Sequence, residues 1–159
     1  MDYKIEEINL LAKFEELELT LPTELAFFPE NIESAKQKEE FVFTDSMLDL
    51  SKIFKIDNID VSVLGVDTEL YRSRKSADIY LPAIFFSLSL ITENPSIISV
   101  SLSVLSNYIY DLCKGSLRKK TAKVDLYIET REKGKIKKIS YNGNVEGIKD
   151  LDRIIKAMR

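Results

Sequence analysis

Carboxylates are the only groups in this chain that could carry out catalysis, and they are thinly supported. Asp111 or Asp125, followed by Glu129-Thr130-Arg131, loosely resembles the Asp…Glu-x-Lys spacing with which neighbouring strands hold magnesium and orient a water. Asp125, Glu129 and Arg131 alternate along one strand face, however, and such a face is ordinarily a solvated one. Glu146, Asp150 and Asp152 cluster near a final helix, where acidic residues chiefly serve the helix dipole. Ser116-Leu-Arg-Lys119 matches a Ser-x-x-Lys pattern without any companion motif.

The remaining inventory closes most other routes. With 0 His there is no imidazole base, no Ser-His or Cys-His pair and no His-containing zinc site. The single cysteine, Cys113, cannot form an internal disulfide and reads as a small buried hydrophobe. Glycines 65, 115, 134, 143 and 147 build neither a phosphate loop nor a dinucleotide fingerprint. The sequence therefore predicts no enzymatic activity, no cofactor and no metal. The acidic, polar Met-Asp-Tyr-Lys start carries no secretory pattern, so a cytoplasmic location is expected.

Charge is distributed unevenly. Residues 1–70 hold 6 Lys/Arg against 17 Asp/Glu, a balance of −11, whereas residues 71–159 hold 17 against 9, a balance of +8. Within 114–138, 10 basic residues face 3 acidic ones. The partner-binding candidates are Lys119, Lys120, Lys123, Arg131, Lys133, Lys135, Lys137 and Lys138. Such asymmetry suits an acidic protein surface, a phosphate backbone or an anionic membrane. It also suits a fold in which the two halves simply neutralise each other.

The elements that must position these groups follow from periodicity. At 159 residues, one domain with an adequate core is the default. Leu10, Phe14, Leu17 and Leu21 recur at helical spacing, which predicts a helix over about 3–16 and extended chain over 17–21. Residues 29–40 read as a polar surface loop, 45–55 as a helix, and Ile59–Gly65 as a strand. From Ile79 to Tyr110 there is a single charge, Glu93, and Asn94-Pro95 divides the stretch. The second half begins with a good N-cap pair and places Ile98, Leu102, Leu105, Ile109 and Leu112 on one seam. The competing strand alternation at 99–104 is outweighed by these caps and by the length.

A β-hairpin follows over about 122–141. Val124, Leu126, Ile128 and Thr130 form its apolar side, and Lys123, Asp125, Tyr127, Glu129 and Arg131 its polar side. Asn142-Gly143 is expected to turn the chain into a last helix carrying Val145, Ile148, Leu151, Ile155 and Met158. The expected fold is α+β, a single domain over 1–159. Its acidic part is 1–70, its apolar helical part 76–115, and its basic hairpin with helix 116–159. A helical hairpin at about 79–114 packs with the β-hairpin and the C-terminal helix.

Ser76-Ala-Asp-Ile-Tyr-Leu-Pro82, the Asn94-Pro95 break, Ser106-Asn-Tyr-Ile-Tyr-Asp-Leu-Cys-Lys-Gly115 and Tyr141-Asn-Gly-Asn-Val-Glu-Gly147 resemble stretches of small uncharacterised bacterial proteins. The resemblance covers roughly the C-terminal half of the chain. It implies a bacterial or phage origin and transfers neither activity nor site.

Three functions are compatible with these observations. The favoured one is a non-catalytic protein–protein interaction role, as an accessory, inhibitor or adaptor subunit of a bacterial or phage multi-protein system such as defence or toxin control, with a larger protein or a second copy as partner. The second is nucleic-acid binding by the basic hairpin, with Tyr127 and Tyr141 as stacking platforms. The third is membrane activity through the apolar 79–110 segment, whose halves fall short of the ~20 residues a spanning helix needs.

Overall fold

The computed structural model describes residues 3–65, 71–72, 79–114, 121–132 and 135–158. The chain begins with β1 (Tyr3–Asn9), α1 (Leu11–Glu16) and β2 (Ala26–Phe28). A 3₁₀ turn (Lys38–Glu40), β3 (Phe43–Thr44), α2 (Ser46–Ile56) and β4 (Ser62–Val63) come next. After β5 (Tyr71–Arg72), β6 (Ile79–Tyr80) and β7 (Ala83–Phe86) lead into α3 (Leu88–Glu93) and α4 (Ile97–Cys113). β8 (Thr121–Glu129) and β9 (Lys135–Asn144) form the hairpin, and a second 3₁₀ turn (Val145–Asp150) enters α5 (Leu151–Met158).

Among the described residues the strands make a seven-stranded sheet in the order β1-β9-β8-β7-β2-β4, with β6 also on β8. β3 and β5 pair separately. The fold is α+β, as the segregation of hairpin and helices predicts. β6 and β7 run parallel to β8 as one interrupted strand, broken at Leu81-Pro82, where proline has no N–H to offer the ladder. Parallel pairing of β7 with β8 demands a crossover, and α3 and α4 supply it.

Two expectations are corrected here. The helix expected over 3–16 is a strand up to Asn9 and a helix only from Leu11. β1 lies antiparallel to β9, with Ile5 opposite Ile139 and Ile8 opposite Ile136, partners that local periodicity cannot display. The helical hairpin expected over 79–114 begins only at Leu88. Ala83-Ile-Phe-Phe86 is a strand buried at all four positions. A short apolar run covered on both faces loses the alternation that marks a strand, so its pattern does not separate it from helix.

The second half of that stretch is a helix, and the strand alternative at 99–104 is not adopted. Ile98, Leu102, Leu105 and Ile109 are all 2% exposed or less, whereas Leu112, placed on the same seam, is 55% exposed. By then the helix has run past the sheet. The 29–40 loop is irregular but not merely superficial, because Ile32 and Ala35 are buried.

Each face of the sheet has its own cover. On one, Phe54 of α2 meets Phe27 of β2 edge-on at 5.9 Å, and α4 lies against α2, the second 3₁₀ turn and α5. On the other, Phe28 stacks on Phe85 at 4.8 Å and also touches Tyr127 (5.4 Å) and Phe14 of α1 (5.9 Å). The Lys13 ammonium donates to the Ala35 carbonyl (2.8 Å), tying α1 to the 29–40 loop above this cluster.

β9 does not turn at Asn142-Gly143. It continues to Asn144, paired with Thr121. The turn comes next, where Gly147 sits so close to the Tyr141 ring that a Cβ there would fall 2.2 Å from its hydroxyl oxygen.

Candidate functional site: the polar face of the β8–β9 hairpin

The β8–β9 register resolves the hairpin into two faces. Ala122, Val124, Leu126 and Ile128 point with Ile139 and Tyr141 into the helical layer, and all are buried. Lys123, Asp125, Tyr127 and Glu129 occupy the other face together with Lys138 and Ser140. The sequence treats this second row as uniformly polar and solvated. The structure divides it.

Tyr127 belongs to the core. It is 0% exposed among Phe28 and Phe85, and its hydroxyl donates to Glu33 at 3.4 Å. Burial, first, and then the charges of Asp125 and Glu33 push its phenol well above the ordinary tyrosine range. Tyr141 is likewise buried. Neither ring is placed to stack on a nucleic-acid base, contrary to the expectation for this hairpin.

Glu129 is structural in a different way. Its Oε1 accepts the Leu88 backbone N–H at 2.7 Å, at the start of α3, where Ser87 Oγ accepts from Leu90 N at 3.1 Å. The carboxylate suggested as a metal ligand is thus spent on an otherwise orphaned donor. Asp111 is exposed on α4, and Asp152 pairs with Lys156 at 3.0 Å. Among the described residues no three acidic or cysteine side chains converge as a metal site. The Ser116…Lys119 motif lies outside the described residues, as do Lys120, Lys133 and the side chain of Cys113.

The other cationic candidates do not form one surface. Lys137 stands opposite Glu7, and Lys138 opposite Glu6, in the β1–β9 ladder. Lys138 also binds Glu33 and lies 5.6 Å from the Tyr127 ring centre. Lys135 pairs with Glu132 at 2.7 Å, an exposed contact that raises the lysine pKa and lowers that of the glutamate. The acidic and basic halves of the chain therefore meet directly, and part of their opposite charge is used inside the fold. Arg131 is exposed at the hairpin tip and forms no ion pair with any described residue.

Lys123 and Asp125 have a third fate. They line a cleft of about 210 Å³ together with Glu30, Thr44, Tyr80 and Lys138. Leu81 and Ala83 complete its wall, so the gap opens where β6 gives way to β7. Asp125 Oδ1 is buried without a hydrogen-bond partner. Lys123, two residues away on the same face, makes no ion pair with it or with any other described residue. Sequence reasoning named Lys123 for its charge but did not pair it with Asp125. Only strand alternation, which sets residues i and i+2 side by side, could have hinted at that.

Comparison with protein families, with curated proteins and with solved structures finds no match to this chain.

Proposed function

We propose that this chain is a non-catalytic interaction protein, an accessory, inhibitor or adaptor subunit that docks on a larger protein partner through the tip of its basic hairpin. The observation that supports this reading is the position of Arg131, exposed between two long strands with no internal counter-ion among the described residues. A cation exposed near the end of a hairpin projects its field toward a partner and speeds encounter more than it adds affinity. The burial of Tyr127 and Tyr141 removes the stacking platforms on which nucleic-acid binding depended. The apolar 79–110 segment is consumed by β7, α3 and α4, and among the described residues no helix is long and apolar enough to cross a membrane.

The test is affinity purification of the full chain from its native host, followed by association kinetics with whichever protein co-purifies. Arg131→Glu slows association several-fold and leaves the fold intact. Raising salt weakens the wild-type rate as the screening length falls below ~10 Å. Equal association rates for wild type and variant, or recovery of nucleic acid alone, contradict the proposal.

A further inference from the structure

Among the described residues the large sheet ends in two unequal edges. β4 closes one side with 2 residues, whereas β1 closes the other with 7, Tyr3–Asn9, and pairs there with β9 alone. A strand paired on one flank keeps a row of backbone N–H and C=O groups on the other, a template for a further strand. We infer that a second copy of this chain occupies this edge, the two β1 strands lying antiparallel about a twofold axis at Ile5.

The order of charges along β1 selects that partner and that register. Charges on an edge ordinarily deter pairing, but these are self-complementary. A twofold axis normal to the sheet sets one residue opposite itself and its flanking residues opposite one another. Centred on Ile5, it places Lys4 opposite the second copy's Glu6, Glu6 opposite the second copy's Lys4, and Tyr3 opposite Glu7. Moved to Glu6 it sets carboxylate against carboxylate and Ile5 against Glu7, and moved to Lys4 it sets ammonium against ammonium. Opposite charges directly across a ladder stabilise it and like charges destabilise it, so the Ile5 register is preferred over both neighbours.

The side chains suit this arrangement. Lys4 and Glu6 already pair along the strand at 2.8 Å, yet remain 74% and 39% exposed. A second copy therefore shares their ion pair without breaking it, and four charges alternate in sign around the axis. On the opposite face Ile5 is 42% exposed, although Ile139 beside it is buried. Pairing brings the two Ile5 side chains to about 4.5–5.5 Å between Cβ atoms and removes apolar surface from water. The contact does not involve Arg131 or the hairpin tip, so it stands apart from the docking role and is tested on the pure protein.

The experiment is sedimentation velocity of the full chain from about 10 μM to about 500 μM, where small interfaces associate. A monomer–dimer equilibrium is expected. Lys4→Glu alone sets carboxylates against carboxylates, and Glu6→Lys alone sets ammonium groups against ammonium groups, so each weakens self-association about tenfold. Mixed in equal amounts, the two variants face each other with opposite charges and dimerise about as tightly as the wild type. Ile5→Cys in a Cys113→Ser background locates the axis. Directly opposed residues lie within disulfide reach, so oxidation gives a covalent dimer, whereas Glu7→Cys in that background, displaced along the strand, gives none. Far-ultraviolet dichroism matching the wild type separates lost pairing from lost folding. A chain that stays monomeric throughout, or a dimer indifferent to both charge changes, overturns the inference. So do folded variants that fail to pair when mixed, or cross-linking through Glu7→Cys in place of Ile5→Cys.

Discussion

The two faces of β8 obey different rules. On the inner face, Ala122, Val124, Leu126 and Ile128 do one thing, filling the space beneath the helical layer, and any of them is read correctly from its type. On the outer face, four consecutive alternate positions have three separate roles. Tyr127 anchors an aromatic cluster, Glu129 satisfies the first turn of α3, and Lys123 with Asp125 face an open cleft. Apolar residues share a single destination because burial is non-directional, whereas a polar group goes where its particular partner stands. A polar face is therefore several sites, sorted by what lies opposite each residue.

The contrast can be broken most forcefully from the inner side. Leu105→Ala, at 0% exposure on α4, is expected to cost about 2–5 kcal/mol, read from chemical denaturation. A loss below the noise of the curves would mean that α4 is not packed on the sheet. Gly65→Ala comes next. Its φ of 69° disfavours any side chain, and a Cβ there lies 2.7 Å from the Phe41 ring, so a cost of about 1–3 kcal/mol is expected. A neutral result would show that the Phe41 side retains slack.

On the outer face the effects are smaller and differ from one residue to the next. Glu129→Ala removes the acceptor for Leu88 N and should cost about 0.5–2 kcal/mol, the usual range for a lost helix cap. If Glu129 were instead a metal ligand, magnesium would raise the melting temperature of the wild type and not of the variant. Alkali probes the buried phenols separately. Burial, and then Asp49, push the Tyr108 phenol up to about 12, and burial raises Tyr127 further. Tyrosine is neutral when protonated, so a raised folded pKa favours the folded state below the unfolded value near 10 and forfeits that advantage as pH rises through the folded value. Stability should fall from about pH 10 upward, and absorbance titration should show phenol that ionises only well above the usual tyrosine range. Complete ionisation near the ordinary tyrosine value, below the unfolding transition, would contradict the placement of Tyr108 and Tyr127.

Much of the fold was legible in the sequence, and the missing parts share one cause. The α4 seam, the hairpin and the terminal helix are announced by local period, because each turns one regularly spaced apolar face to the core. The local pattern of β1 and β7 reads as helical, since their identity depends on strands more than 40 residues away in sequence. The candidate site follows the same logic. Lys123, Lys135, Lys137 and Lys138 stand out by charge alone, but whether a cation is free depends on Glu6, Glu7, Glu33 and Glu132, of which only Glu132 is near in sequence. The cleft was invisible because its members come from residues 30, 44, 80, 123, 125 and 138.

The outer face of β8 mixes a carboxylate engaged by the fold, Glu129, with one whose buried oxygen the fold leaves partnerless, Asp125. Comparing the unfolding free energies of Glu129→Gln and Asp125→Asn in the same denaturant series tests it directly. A structural carboxylate loses stability when neutralised, whereas a carboxylate with a buried, partnerless oxygen gives neutral or increased stability, because the desolvation it suffers is relieved. A loss of about 0.5–1.5 kcal/mol is expected for Glu129→Gln and no loss, or a gain, for Asp125→Asn. An equal loss for both would contradict it, since Asp125 would then be paying its way in the fold like its neighbour.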